Sequence, residues 1–264
     1  MKFLRPILAI TVAILLGGSV LALFYQLAPP KISTVELGGY ATSLRGRTRS
    51  QRMNAQKAAR SLDGKLIAPG AVFSFNQAVK SWTFDQGYLK APVSYDGELI
   101  RAYGGGVCQT STTLYNAALL AGLPIVERHS HVFAPHYVPP GRDAAVAQLT
   151  VDLRFRNPYS FPLKIRASAP EDAIDIRIIG SGFPRQRAFL TNQTLSEITP
   201  QRLTRTVIRP GGSGKSYVRN PGSTGYRVIT YRIFSEKGEE TRREQLSDDT
   251  YEPMNRVIQV SEPE

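Results

Sequence analysis

The residues best suited to nucleophilic chemistry lie close together in the middle of this 264-residue chain. Cys108 is the only cysteine and stands in "GGGVCQTSTTLYNAALLAGLP", residues 104–124. All three histidines, His129, His131 and His136, lie in "ERHSHVFAPHY", residues 127–137. A thiol becomes a strong nucleophile when an adjacent imidazole takes its proton. The spacing therefore suggests thiol chemistry.

Cys108 follows a glycine-rich loop at the predicted start of a helix. The unpaired N–H groups of a first helical turn and the helix dipole stabilise a thiolate there and lower its pKa. The loop residues Gly104, Gly105 and Gly106 allow close backbone approach, which suits an oxyanion site or a substrate backbone beside the sulfur. The alternative is that Cys108 is a small buried apolar residue.

The histidine segment predicts the partner of the thiol. On a strand, His129 and His131 would point to one face, and either imidazole could lie against the sulfur. Asp143 and Asp152 are candidates to orient the ring, and Asp143 ranks first because it follows a turn that can fold back. A zinc site formed by the histidines and Cys108 is the alternative. The lack of further cysteines speaks against it, so we expect neither metal nor cofactor.

Two helices and a set of strands must position these groups. Apolar residues on one face predict helices at 49–62 and 109–121, which Gly64 and Gly122 end. Alternating segments such as "LTVDLRFRN" and "LKIRAS" predict half-buried strands. The expected fold class is α+β, with two helices packed on a mainly antiparallel sheet.

The last 75 or so residues predict a separate small all-β module. The stretch "GYRVITYRIFSEKGEETRREQLSDDTY" indicates a hairpin around Lys237-Gly238. We therefore divide the chain into an N-terminal segment (1–30), a main domain (31–185) and a C-terminal module (186–264).

The N-terminus predicts export. Lys2 and Arg5 precede an uncharged run at residues 7–25, which is long enough for a transmembrane helix and predicts a single-pass protein of the cytoplasmic membrane with an extracytoplasmic domain. A cleaved signal peptide is the alternative. The net charge of +12 favours an anionic partner such as lipid headgroups or acidic cell-wall polymer. Nucleic acid is not expected, because the basic residues are not interleaved with aromatic ones.

The sequence resembles the VanW family over residues 40 to about 157. The resemblance rests on matching stretches in matching order: "NAQKAARSLDGKLIAPGAVFSFNQAV", "GYLKAPV", "GGGVCQTSTTLYNAALLAGLPIVERHSH", "YVPPGRDAAV" and "DLRFRN". The tail from about 205 to 260 is similar to the small β module that often follows such domains. At Val132 this chain departs from the family, which commonly has serine there.

The resemblance implies a cell-wall role connected with vancomycin resistance. Some members of the family act as L,D-transpeptidases that form 3–3 peptidoglycan cross-links, which implies Cys108 as nucleophile, His131 as acid–base and peptidoglycan stem peptides as partners. With Asp143 as orienting group, the candidate binding residues are Gly104, Gly105, Gly106, Gln109, Ser111, Thr112 and His129. A Cys–His peptidase and a non-catalytic wall-binding or accessory protein are the alternatives.

Overall fold

The structure is a computed structural model that describes residues 34–95, 98–182, 186–208 and 216–262. Strands account for 47% of the described structure and helices for 16%. The described helices are α1 (Arg49–Leu62), α2 (Phe75–Val79) and α3 (Val107–Leu120). The strands are β1 (Val35–Ser43), β2 (Leu66–Ile67), β3 (Val72–Ser74), β4 (Lys90–Tyr95), β5 (Glu98–Tyr103), β6 (Ile125–Glu127), β7 (Arg154–Arg156), β8 (Leu163–Ser168), β9 (Ala173–Gly180), β10 (Arg187–Ile198), β11 (Arg202–Ile208), β12 (Ser216–Asn220), β13 (Gly225–Glu236), β14 (Glu239–Tyr251) and β15 (Arg256–Glu262).

Helix α1 begins where its capping residues dictate. The Thr48 side chain accepts a hydrogen bond from the Gln51 backbone, and the Gln51 side chain accepts one from the Thr48 backbone, which is a capping box. The buried face contains Ala55, Ala58 and Leu62. This helix lies where the sequence predicted it.

Helix α3 is enclosed by the protein on nearly every side. Its buried residues include Leu114, Ala117 and Ala118, and also a series of threonines. Their hydroxyls are paired: Thr110 donates to the Ala55 carbonyl at 3.0 Å, and Thr113 donates to the Gln109 carbonyl at 2.7 Å. Because these polar groups have partners, the helix can be buried without the cost of stranded donors.

The main core lies between α3 and an antiparallel four-stranded sheet with the order β1-β9-β8-β2. Strand β9 directs Ile174, Ile176 and Ile178 into this core, and β8 adds Leu163 and Ile165. A smaller sheet, β3-β7-β6, ends at the segment that leads to the histidines.

The C-terminal part consists of two further sheets, β10-β13-β14 and β11-β15-β12. Strands β13 and β14 form the hairpin predicted around Lys237-Gly238, and both turn residues have positive φ angles of 53° and 92°. Strand β11 pairs with β15 in parallel, whereas β12 pairs with β15 antiparallel.

The predicted α+β class is wrong, because the fold is mainly β with three short helices in the described residues. The strand content was underestimated because several strands lack apolar alternation. Strand β10, for example, is exposed along the whole of "TLSEI". Such a strand is stabilised by its backbone pairing with β13 rather than by a buried face.

The predicted membrane anchor is also not supported. Within the described ranges, no helix is long and apolar enough to cross a membrane. The longest, α1 and α3, have 14 residues each, whereas a span takes about 20. Residues 7–25, on which the single-pass prediction rested, lie outside the described residues.

Candidate active site

The glycine-rich loop places Cys108 at the start of α3, as predicted. Gly106 is the N-cap residue, with a φ of 111°, and Cys108 is the second residue of the helix. The Asn54 side chain on α1 donates to the Gly105 carbonyl at 2.9 Å and holds the loop. The first turn contains no acidic residue, so the positive end of the helix dipole is left for the thiol.

The glycines serve the packing of this loop. A Cβ atom on Gly106 would collide with the backbone of Gln51, and one on Gly104 would collide with the ring of Trp82. Both glycines have φ angles in the left-handed region, which disfavours any other residue. Gly105 is buried as well. The glycines therefore fix where the helix begins.

The Cys108 thiol lies between the backbone of Val146 and the His131 ring. Its Sγ is 3.5 Å from the Val146 carbonyl oxygen, and the residue is only partly buried. Burial raises the pKa of Cys108, but the hydrogen bond from His131 and the charge on that ring outweigh burial, so the pKa lies below its usual value. The surroundings therefore favour a thiolate.

His131 is held by Asp143 through two hydrogen bonds. The His131 backbone N–H donates to Asp143 Oδ2 at 2.7 Å, and Nδ1 lies 2.5 Å from the same oxygen. Since a carboxylate only accepts, Nδ1 carries the proton and Nε2 is left to face Cys108. Burial lowers the pKa of His131, but the hydrogen bonds to Asp143 and Cys108 raise it well above its usual value. A quarter of the side chain remains exposed, so the ring can exchange protons with solvent.

Asp143 is completely buried, and each carboxylate oxygen has its own set of donors. Oδ2 faces His131, while Oδ1 accepts from Arg128 at 2.9 Å and from the Tyr251 hydroxyl at 2.5 Å. Burial raises the pKa of Asp143, but the hydrogen bond and charge of His131, together with the charge of Arg128, lower it to about 2. Asp143 is therefore ionised over the whole physiological pH range.

Three of the predicted binding residues connect α3 to its surroundings. Gln109 is buried, accepts from Arg47 at 3.1 Å and donates to the Ser43 carbonyl at 2.8 Å. Ser111 donates to the Ala144 carbonyl at 2.6 Å, and Thr112 accepts from the Ala144 N–H at 3.0 Å. The two hydroxyls hold the strand-like segment around Ala144, and with it Asp143 and Val146, against the helix that carries Cys108.

The strand on which His129 and His131 were expected to share a face ends before either residue, and His129 has a different partner from His131. Strand β6 ends at Glu127, and only an isolated bridge between His129 and Ala145 continues it. The His129 ring is about half exposed, with Nε2 lying 3.2 Å from Glu127 Oε1. The strict alternation of a strand does not reach His131.

Asp152 has a structural position at the start of α2. It accepts from the Ser74 hydroxyl at 2.5 Å and from the Asn76 N–H at 2.9 Å. His136 is exposed. Among the described residues, no group of three or more His, Cys, Asp or Glu side chains could hold a metal ion.

Three residues that support Asp143 were not found by sequence reasoning: Arg128, Asp249 and Tyr251. Arg128 forms a two-pronged ion pair with Asp249, at 2.6 and 2.7 Å, and its Nε donates to the Asp143 carbonyl at 2.7 Å. Asp249 and Tyr251 lie on β14, more than a hundred residues beyond Asp143, so no local pattern connects them.

A thiol at a helix start, an imidazole and a buried ionised carboxylate together have the geometry that thiol-dependent nucleophilic chemistry requires. Two parts of the chain match known protein families. Residues 50–179 match the family described as "VanW like protein", and residues 212–261 match the G5 domain. The chain thus contains a VanW-like domain followed by a C-terminal G5 domain.

Two curated proteins share the VanW-like part. The uncharacterized protein YoaR of Bacillus subtilis (strain 168) is 46% identical over 136 residues, which are 52% of this chain and 45% of YoaR. The vancomycin B-type resistance protein VanW of Enterococcus faecalis (strain ATCC 700802 / V583) is 28% identical over 150 residues, which are 55% of this chain and 54% of that protein. The chain therefore spans about half the length of each relative.

Two solved G5 structures also match. The match to the IgA1 protease G5 domain covers 31% of this chain and 96% of that domain, with 25% identity and a TM-score of 0.20. The match to HP0197-G5 covers 28% of this chain and 96% of that structure, with 20% identity and a TM-score of 0.15.

Proposed function

We propose that this protein is a cysteine acyltransferase of the cell wall, an L,D-transpeptidase that forms 3–3 cross-links between peptidoglycan stem peptides. The observation that carries the proposal is the hydrogen-bonded series Cys108, His131 and Asp143, with the thiol at the start of α3. The kinship with a vancomycin resistance protein supports the cell wall as its place of action.

In the first half-reaction, the Cys108 thiolate attacks the carbonyl carbon of the third residue of a stem tetrapeptide. The carbon–nitrogen bond to the terminal D-Ala breaks, and the His131 imidazolium gives its proton to the departing amine. The product is a thioester on Cys108. The backbone N–H of Cys108 lies in the first turn of α3, without a helical partner, and is suited to hold the oxyanion.

In the second half-reaction, the side-chain amine of another stem attacks the thioester. Neutral His131 takes a proton from that amine, the new amide bond forms, and Cys108 leaves as a thiolate. Asp143 keeps the ring in the tautomer that both steps need, because it accepts the Nδ1 proton throughout. Hydrolysis would use the same groups with water as acceptor.

The G5 domain and the net charge of +12 support association with an anionic cell-wall polymer. This association would keep the thiol near its substrate.

The test is incubation of the protein with tetrapeptide muropeptides, followed by mass spectrometry of protein and products. We expect an acyl adduct on Cys108 and 3–3 dimers, both lost in Cys108→Ala. His131→Ala should reduce turnover by about 10²–10⁴-fold. His129→Ala is the matched control and should stay close to wild type, because its ring pairs with Glu127.

Retention of cross-linking in Cys108→Ala would refute the proposal. Release of D-Ala without any dimer, even with excess acceptor, would assign hydrolysis instead of transfer.

A further inference from the structure

We propose that the G5-matching segment is part of the thiol site, and that Tyr251 and Asp249 on β14 are positioning residues that hold Asp143 toward His131. This inference builds on the proposed function, but it concerns the state of the thiol and can be tested without turnover. Nothing in the comparisons assigns either residue a role.

Tyr251 is fully buried and its hydroxyl contacts two points of the Asp143 loop. It donates to Asp143 Oδ1 at 2.5 Å and accepts from the Gly141 N–H at 2.8 Å. The hydroxyl thereby links the start of the loop to the carboxylate at its end. With Oδ1 engaged in this way, Oδ2 is the oxygen directed at His131.

Asp249 acts through Arg128. Arg128 Nη1 donates to both carboxylate oxygens of Asp249. Arg128 Nη2 donates to Asp143 Oδ1. Ser247 donates to Asp249 at 2.7 Å and fixes it in turn. The side chains of Arg128, Asp143 and Asp249 are all at least nine-tenths buried. Solvent therefore screens their charges little, and their hydrogen bonds hold them in a defined geometry.

The same sheet holds the backbone of the loop. Thr230 on β13 donates to the Gly141 carbonyl at 3.0 Å, and Asn192 on β10 donates to the Pro140 carbonyl at 2.7 Å. The Glu252 N–H donates to the Val132 carbonyl at 2.8 Å, next to His131. The C-terminal sheet thus contacts both segments that carry the histidine–carboxylate pair.

Loosening Asp143 should weaken its hydrogen bond to the imidazolium. The pKa of His131 would then fall toward its usual value, and the pKa of Cys108 would rise, because the thiolate depends on the His131 proton. The alkylation rate of Cys108 follows the thiolate fraction, so its pH profile reports this change directly.

The experiment measures the rate of Cys108 alkylation by iodoacetamide from pH 5 to 10 in the full chain. For Tyr251→Phe and Asp249→Asn we expect the midpoint to move to higher pH by about 0.5–1 unit, and so a roughly 3–10-fold slower reaction below the wild-type midpoint. The matched controls are Tyr226→Phe, opposite Tyr251 on β13, and Asp248→Asn, an exposed neighbour that pairs with Arg227. Both should keep the wild-type profile.

Unchanged midpoints in Tyr251→Phe and Asp249→Asn, or shifts to lower pH, would overturn the inference. Melting temperatures of all four variants separate a local change from loss of the fold, and either positioning variant alone suffices for the decision. Because alkylation needs no muropeptide, the alkylation experiment remains valid even if the protein shows no cross-linking activity. Conversely, unchanged alkylation midpoints in the variants would leave the proposed cross-linking activity untouched.

Discussion

Around α3, the contacts that join helix and sheet are mostly aliphatic, with Leu114, Ile176 and Ile178 among the side chains that have no exposed surface. Between the sheet β10-β13-β14 and residues 139–143, the contacts are polar and charged. The connected main core extends from Leu37 to Ile178, and the fully buried apolar residues of the C-terminal sheets do not join it. Apolar burial involves no group that titrates, whereas the polar interface contains ionisable groups and responds to pH. The candidate active site lies at that interface.

The largest effect should come from removing the charge that both carboxylates share. We expect Arg128→Met to lower the free energy of unfolding by about 3–5 kcal/mol, because Asp143 and Asp249 would remain buried without a common cation. Urea unfolding at pH 7 measures the change.

Arg227→Met is its control, because the Arg227–Asp248 pair is largely exposed. It should leave the unfolding curve unchanged. An equal loss in both variants would mean that the buried network contributes no more than an ordinary surface ion pair.

A smaller effect, with a defined pH dependence, is expected for Asp143→Asn. The folded-state pKa of Asp143 is about 2, below the usual 3.8. Its ionised form therefore stabilises the fold fully above about pH 4, and this contribution is lost as the pH falls through 2. The shift corresponds to about 2 kcal/mol. The stability difference between wild type and Asp143→Asn, measured by urea unfolding, should shrink between pH 4 and 2; a constant difference would contradict the assignment.

The smallest change in the free energy of unfolding is expected in the apolar core around α3. Ile176→Val removes one buried methylene group from β9 and should cost about 0.5–1.5 kcal/mol. We expect the same cost at pH 4 and pH 7, because no titrating group is involved. Leu195→Val, on the exposed part of β10, should change stability by less than about 0.5 kcal/mol. A strong pH dependence of the Ile176 effect would remove the distinction between the two regions.

Local signals in the sequence predicted the two long helices well. The apolar face of α1 and the glycines before Cys108 act within a few residues, so their meaning does not depend on the rest of the fold. The same is true of the Lys237-Gly238 turn, whose positive φ angles fit a tight hairpin.

The candidate site could be predicted only in part. The choice of His131 over His129 came from the family resemblance, since strand alternation favoured neither. The structure explains the difference: β6 stops at Glu127, so strand alternation does not apply to the two histidines, and of the two only His131 is hydrogen-bonded to Asp143. Arg128 is adjacent to His129 in sequence, yet its role depends on Asp249, 121 residues away. The register of distant strands decides such contacts.

The contact between Tyr251 and Asp143 joins residues 108 positions apart, which has a consequence for synthesis of the protein. A chain growing on the ribosome presents Cys108, His131 and Asp143 long before β14 exists. Contacts of such long range form only after a large loop has closed. The full set of donors to Asp143 is therefore completed late, when β14 has been made and paired. The nascent polypeptide thus carries its thiol in an incomplete site until β14 has left the ribosome.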